Sequence, residues 1–178
     1  EGAAYCNWLS KKEKLQPFYN LSQGQVTGFN INADGYRLLS EAEWEWLARK
    51  SGKSAQTIFT WGNDTVIPPK AANVADQSAQ GQVRFYVPNY TDGFTGVAPV
   101  GSFKVEPSGL YDMAGNVSEW VHDVYSIVPP QPNSVEKNPL GQHRGQAHVV
   151  KGGNFRSGTI TTLRPAFREG LTSGRDDV

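Results

Sequence analysis

Apolar and polar positions follow a helical period in only two places. Residues 2–13 carry Ala3, Ala4, Trp8 and Leu9 among polar neighbours, which predicts a short amphipathic helix ended by Pro17 and the following YNLSQGQ. The stretch YRLLSEAEWEWLARKSGK is clearer. Trp44, Leu47 and Ala48 fall at i, i+3 and i+4, Ser40 and Glu43 have capping-box spacing, and Glu41 suits a first turn. With Gly52 as a stop, this predicts a helix over 41–50. Elsewhere the period is short or absent. QVTGFNIN at 25–32 reads as a strand before an ADGY turn, HVVKGGNF as a second strand and TLRPAFRE as an extended stretch. From residue 58 the chain is turn-rich, and the prolines of SIVPPQP make 126–146 a surface excursion. The expected class is α+β, with two short helices, small irregular strands and long ordered loops.

One such loop, GLYDMAGNVSEW at 109–120, is too rich in glycine for a helix interior and too irregular for a simple strand. Long loops without regular structure are uncommon in compact domains unless they are functional or otherwise held. Composition sharpens the point. The 178 residues fit one domain, with 19 Gly, 11 Pro and 5 Trp, so aromatics must supply much of the core. A chain this rich in coil needs extra restraint from disulfides, metals or dense hydrogen bonding. A lone Cys6 excludes an internal disulfide and reads as a small apolar residue, and His122, His143 and His148 lack zinc spacing.

Acidic and basic residues balance at 17 each, without a basic stripe, which argues against nucleic acid as a partner. No apolar run reaches the roughly 20 residues of a membrane helix, so no membrane insertion is expected of this segment. The chain opens on EGAAYCNWLSKK, which reads as the middle of a helix.

Oxygen ligands suit the loop chemistry. Calcium takes roughly 6–8 oxygens from carboxylates, amides and carbonyls. Asp112 and Glu119 offer charged oxygens around Gly115, Asn116 and Val117, while Asn73 in AANVAD and Asp92 in YTDGFTG repeat the chemistry, with Phe94 as an apolar anchor. None matches an EF-hand, and each stretch also reads as an ordinary Asx turn.

Six segments in order, YRLLSEAEWEWLAR, WGN at 61–63, AANV at 71–74, DGFTGVAPVGSF at 92–103, GLYDMAGNVSEW and VKGGNFRS at 150–157, resemble the formylglycine-generating enzyme family, also called the sulfatase-modifying-factor domain. The resemblance implies an irregular, C-type-lectin-like α+β fold low in regular structure, over a single domain spanning 1–178 that lacks the family's N-terminal strand region and final Gly-Phe-Arg strand. It also implies two calcium sites. The first uses the Asn73 side chain, the Val74 carbonyl, Asp92 and the Phe94 carbonyl; the second uses Asp112, the Gly115 and Val117 carbonyls, and Glu119.

Catalytic members of that family oxidise a substrate cysteine with two cysteines that bind monovalent copper. Those positions fall at Ser157 and about Thr162 here, and hydroxyls do not replace soft thiolates, so no copper is expected. The implied function is a noncatalytic, calcium-stabilised module that binds a protein, peptide or small-molecule ligand through Arg156, Ser157, Thr159, Thr162 and Arg164. An oxidative maturation enzyme of altered chemistry is the alternative. The plainer reading of the arginine-rich segment is that Arg156, Arg164 and Arg168 pair with Glu169, Asp176 and Asp177. Trp44 and Trp120 read as core, and His122 as structural. EPS at 106–108 departs from the EPN triplet of sugar-binding lectins. A location outside the cytoplasm, periplasmic or extracellular, agrees with a calcium requirement.

Overall fold

The computed structural model describes residues 1–127, 135–141 and 145–172. The chain divides into two compact units, Glu1–Ser40 and Glu41–Val178.

In the first unit, helix α1 (Gly2–Lys12) is followed by the hairpin β1 (Tyr19–Ser22) and β2 (Gln25–Phe29). The face that α1 buries is not the expected stripe of Ala3, Ala4, Trp8 and Leu9. Ala3, Asn7 and Ser10 are buried, while Trp8 is exposed against Tyr5 and Lys12. Hydrogen bonding explains the choice. Asn7 Nδ2 donates to the Tyr19 carbonyl (2.7 Å) and Asn7 Oδ1 accepts from the Tyr19 amide (3.1 Å), so one side chain closes both main-chain groups. Ser10 Oγ donates to the Cys6 carbonyl and accepts from the Tyr36 amide. Cys6 is only partly buried, although that burial still pushes its thiol pKa up. The predicted strand at 25–32 is shorter, and its partner β1 lies within the stretch read only as a helix terminator.

In the second unit, helix α2 (Glu41–Arg49) lies against β3 (Glu119–Val124), the first strand of an antiparallel sheet completed by β4 (His148–Lys151) and β5 (Glu169–Leu171), with β4 in the middle. Trp44 and Ala48 bury the predicted helix face against Met113, Val121 and Val149, with Leu47 at the margin. Trp120 is only half-buried. The amide of Glu41 donates to Asp123 Oδ2 (2.7 Å), so strand β3 supplies an acceptor for the helix N-terminus. Strand β3 escapes the alternation signal because His122 and Asp123 are buried within it. TLRPAFRE is not extended throughout: Ile160–Leu163 is a 3-10 turn that drives Leu163 into the core, and the strand begins only at Glu169. A second cluster, with Ile67, Ala72, Val74, Tyr90, Ala114 and Leu163, lies beneath the loops. There the Tyr90 hydroxyl donates to the Ala72 carbonyl (2.6 Å) and accepts from its amide.

Part of the expected excursion at 126–146, namely 128–134 and 142–144, lies outside the described residues, as does His143. Regular structure is sparse elsewhere, so side-chain hydrogen bonds and small clusters hold most of the backbone.

Candidate functional site

The two oxygen-rich stretches are brought side by side. Asn73 and Gly115 pair as an isolated parallel bridge, and the Asn116 amide donates to the Asn73 carbonyl (2.8 Å). Asn73 is 1% exposed. Its Nδ2 donates to the Gly96 carbonyl (2.9 Å) and to Asn116 Oδ1 (3.0 Å), but among the described residues nothing donates to its buried Oδ1. A buried acceptor left alone costs about 1–3 kcal/mol, so this oxygen is poised for a ligand.

Asp92 lies next to it. Its Oδ2 accepts from the Val74 amide (2.9 Å) and its Oδ1 from the Phe94 amide (2.8 Å), which is the Asx turn that the sequence suggests. A carboxylate offers about four lone-pair directions, so two amide bonds leave capacity for a cation. Phe94 anchors the loop by packing on buried Phe103, with ring centroids 5.8 Å apart. Burial, reinforced by the nearby Asp76 charge, holds the Asp92 carboxyl above its ordinary range despite the amide bonds from Val74 and Phe94.

The second set is built on a tight turn. Asp112 (φ 60°) and Asn116 (φ 63°) both occupy left-handed backbone, which Asp and Asn adopt more readily than other non-glycine residues, and Gly115 (φ 77°) lies between them. Asp112 Oδ1 is a second buried oxygen with no hydrogen-bond partner among the described residues, and its Oδ2 meets only the Gly101 amide, at 3.4 Å. Glu119 opens β3 and accepts a hydrogen bond from the Trp44 indole. Burial pushes its carboxyl pKa up, the indole bond pulls it down, and the Asp112 charge raises it further. Two carboxylates that repel each other at a buried site, one with an unmatched oxygen, form an arrangement that a cation relieves.

Among the described residues no three His, Cys, Asp or Glu side chains gather. The hard oxygens that these stretches offer are those of three carboxylates (Asp92, Asp112 and Glu119), the Asn73 amide and the main-chain carbonyls of Val74, Phe94, Gly115 and Val117. That donor set fits calcium and not a metal that prefers nitrogen or sulfur.

The arginine-rich segment leads directly off this region. The Phe155 amide donates to the Asn116 carbonyl (2.9 Å), and the Ala75 amide donates to the Ser157 carbonyl (3.1 Å). Asn154 is the local organiser. Its amide donates to Ser157 Oγ (3.0 Å), its Oδ1 accepts from the Arg156 amide and its Nδ2 donates to Ser118 Oγ. Thr162 Oγ1 donates to the Thr159 carbonyl (2.7 Å). Gly153 lies between the two positions: a Cβ there would sit 3.1 Å from Ser157 Oγ and 3.2 Å from the Thr162 carbonyl. Ser157 and Thr162 are thus neighbours in space, and each hydroxyl is committed to a local main-chain group.

Arg156 and Arg164 are exposed, and the Arg156 guanidinium lies over the Phe155 ring (5.0 Å). Arg168 belongs elsewhere: it pairs with Glu41 (2.7 Å), donates to the Ser126 carbonyl and lies over Tyr125. Arg168 is thus bonded to α2, and Asp176 and Asp177, two of the acids expected to pair with the arginines, lie outside the described residues. The sequence reading missed the stretch around Arg84 and Phe85, which borders the segment. A Cβ on Gly158 would lie 1.9 Å from the Phe85 carbonyl, and Arg84 covers the exposed Phe85 ring (5.0 Å). The dipeptide carries no periodic signal that would have singled it out.

The sulfatase-modifying factor enzyme 1-like domain model matches residues 1–177. The formylglycine-generating enzyme of Mus musculus is 40% identical over 124 residues, which cover 68% of this chain and 30% of that protein. The chaperone protein LppX of Paenibacillus barcinonensis is 31% identical over 140 residues, covering 68% of this chain and 48% of that one. The chain thus spans less than half the length of these relatives. Among solved structures, Treponema denticola variable protein 1 superposes with a TM-score of 0.73 at 24% identity, over 95% of this chain and 62% of its own.

Proposed function

The chain belongs to the sulfatase-modifying factor enzyme 1-like domain family, and from that premise we propose that it is a noncatalytic, calcium-stabilised module. It binds a protein, peptide or small-molecule ligand on the surface formed by Arg156, Ser157, Thr159, Thr162 and Arg164. One observation carries the reading. Where the resemblance puts a pair of copper-binding thiols, the chain has Ser157 and Thr162, whose hydroxyls are bonded to the Asn154 amide and the Thr159 carbonyl. A hydroxyl held this way is neither a soft ligand nor an activated nucleophile. Exposed arginines beside them suit a carboxylate or another planar anion.

Calcium, when bound, supplies a fixed positive charge that draws carboxylates and carbonyls inward. Asn73, Val74, Asp92 and Phe94 would hold one ion, and Asp112, Gly115, Val117 and Glu119 the other. The orphaned oxygens of Asn73 and Asp112 support this assignment. Such sites fill where calcium is millimolar, in agreement with a periplasmic or extracellular location.

Competition with a chromogenic chelator for monovalent copper tests the reading. The natural chain is expected to take up no copper, whereas a doubly substituted Ser157→Cys, Thr162→Cys chain gains it. Tight copper binding by the natural chain would overturn the noncatalytic assignment.

The carboxyl groups predict an opposite pH response with and without calcium. In chelator, Asp92 and Glu119 have raised pKa values, so the folded state takes up protons before the unfolded state does. Stability then increases as pH falls from neutrality toward the ordinary values of 3.8 and 4.5. With calcium bound the carboxylates must stay ionised, and stability decreases over the same range. Urea midpoints at about pH 5 and pH 7.5, with and without calcium, are expected to move in opposite directions.

A further inference from the structure

We infer that Asn116 couples the two cation sites, so that filling one raises the affinity of the other. The inference rests on the calcium reading above but adds a residue that is not in either ligand set.

Asn116 is 4% exposed and spends every polar group it has. Its amide donates to the Asn73 carbonyl (2.8 Å) and its Oδ1 accepts from Asn73 Nδ2 (3.0 Å). The same Oδ1 accepts from the Ala98 amide (2.8 Å), and Nδ2 donates to the Ala98 carbonyl (3.3 Å). Its own carbonyl accepts from the Phe155 amide. One side chain therefore grips Asn73, a ligand of the first ion, and Ala98, at the far end of the loop that carries Asp92 and Phe94. Its backbone joins Gly115 to Val117, whose carbonyls face the second ion in the proposed set.

The energetics favour positive coupling. Asn116 holds a left-handed conformation (φ 63°), as does Asp112 (φ 60°), and such residues persist only where their surroundings fix them. An ion on Asn73 and Asp92 orders the partners that fix Asn116. The ordering cost of the second loop is then already met when its own ion arrives, which is positive cooperativity without a second structural state. Linkage requires the effect to be reciprocal.

Terbium, a luminescent substitute for calcium, gives a readout specific to one site. The Trp44 indole bonds to Glu119, so excitation of tryptophan sensitises an ion held there most strongly. In the natural sequence, calcium titration by calorimetry is expected to give a Hill coefficient above 1 and below 2, the number of sites. Asp92→Asn should weaken terbium binding at the Glu119 site by about fivefold or more, and Glu119→Gln should weaken calcium binding at the Asp92 site by the same factor. Asn116→Gly keeps the backbone conformation and removes only the amide. In that background both cross-effects should vanish while both sites still bind.

The outcomes separate the two ideas. If the natural chain binds neither ion, the calcium reading and the coupling fall together. If both sites fill but Asp92→Asn leaves the Glu119 site within about twofold, the coupling fails and the calcium reading stands. If the cross-effects survive in Asn116→Gly, the assignment to Asn116 is wrong.

Discussion

Removing calcium is expected to lower the melting temperature by roughly 10–20 °C. A ligand at a hundred times its dissociation constant stabilises the folded state by about 2.7 kcal/mol, so two filled sites contribute about 5 kcal/mol. For a chain of 178 residues each kcal/mol moves the midpoint by roughly 2–4 °C. The size of the effect follows from what the cation replaces. The Asn73 and Asp112 oxygens are buried without partners, and the Glu119 and Asp112 charges repel. Scanning calorimetry in millimolar calcium and then in excess chelator measures the shift. A change of less than about 2 °C would show that hydrogen bonds alone hold these loops, and the calcium assignment would be abandoned.

Gly115→Ala is expected to be the most damaging single substitution, at about 4 kcal/mol or more, and to abolish cation binding at both sites. Two effects add. At φ 77° an alanine adopts a left-handed conformation that costs about 1–2 kcal/mol. Its Cβ would also lie 2.1 Å from the Asn73 carbonyl oxygen, which is backbone already bonded to Asn116 and cannot rotate away. Gly101 isolates the first effect, because it has φ 78° but nothing within 4 Å of a Cβ. Gly101→Ala should therefore cost only about 1–2 kcal/mol. Denaturant unfolding of the two variants gives the comparison, and equal losses would mean that the Gly115–Asn73 contact is not a constraint.

The parts of this fold that were legible in the sequence are those governed by neighbours in the chain. Helix α2 announces itself because Trp44, Leu47 and Ala48 recur at the helical period, with Trp44 and Ala48 buried and Leu47 at their margin. The GLYDMAGNVSEW loop is legible because Gly115 can belong to neither regular element. Strand β3 was hidden, since a buried His122 and Asp123 replace the apolar residues that alternation would require. Helix α1 misled for the converse reason: Ala4 and Trp8 of its apolar stripe are exposed, and Asn7 and Ser10 are buried beside Ala3 because they close backbone bonds with Tyr19 and Tyr36.

The candidate site divides in the same way. Asp92 and its turn are local and could be read. The contact between Asn73 and Asn116 spans 43 residues, and that between Arg168 and Glu41 spans 127, so no window along the sequence contains either. Family resemblance supplied the expected grouping of oxygens, while Asn116 was read as part of the loop and its bond to Asn73 was out of reach.

The bond from the Glu41 amide to Asp123 has a consequence for the order of events during synthesis. The acceptor lies 82 residues after the donor. A nascent chain that has exposed α2 must wait for β3 to leave the ribosome before the Glu41 amide meets that acceptor, and an isolated nine-residue segment is too short to persist in water. Translation therefore delivers the helix long before its partner strand, and a chain ending before residue 123 lacks Val149, part of the cluster that buries Trp44.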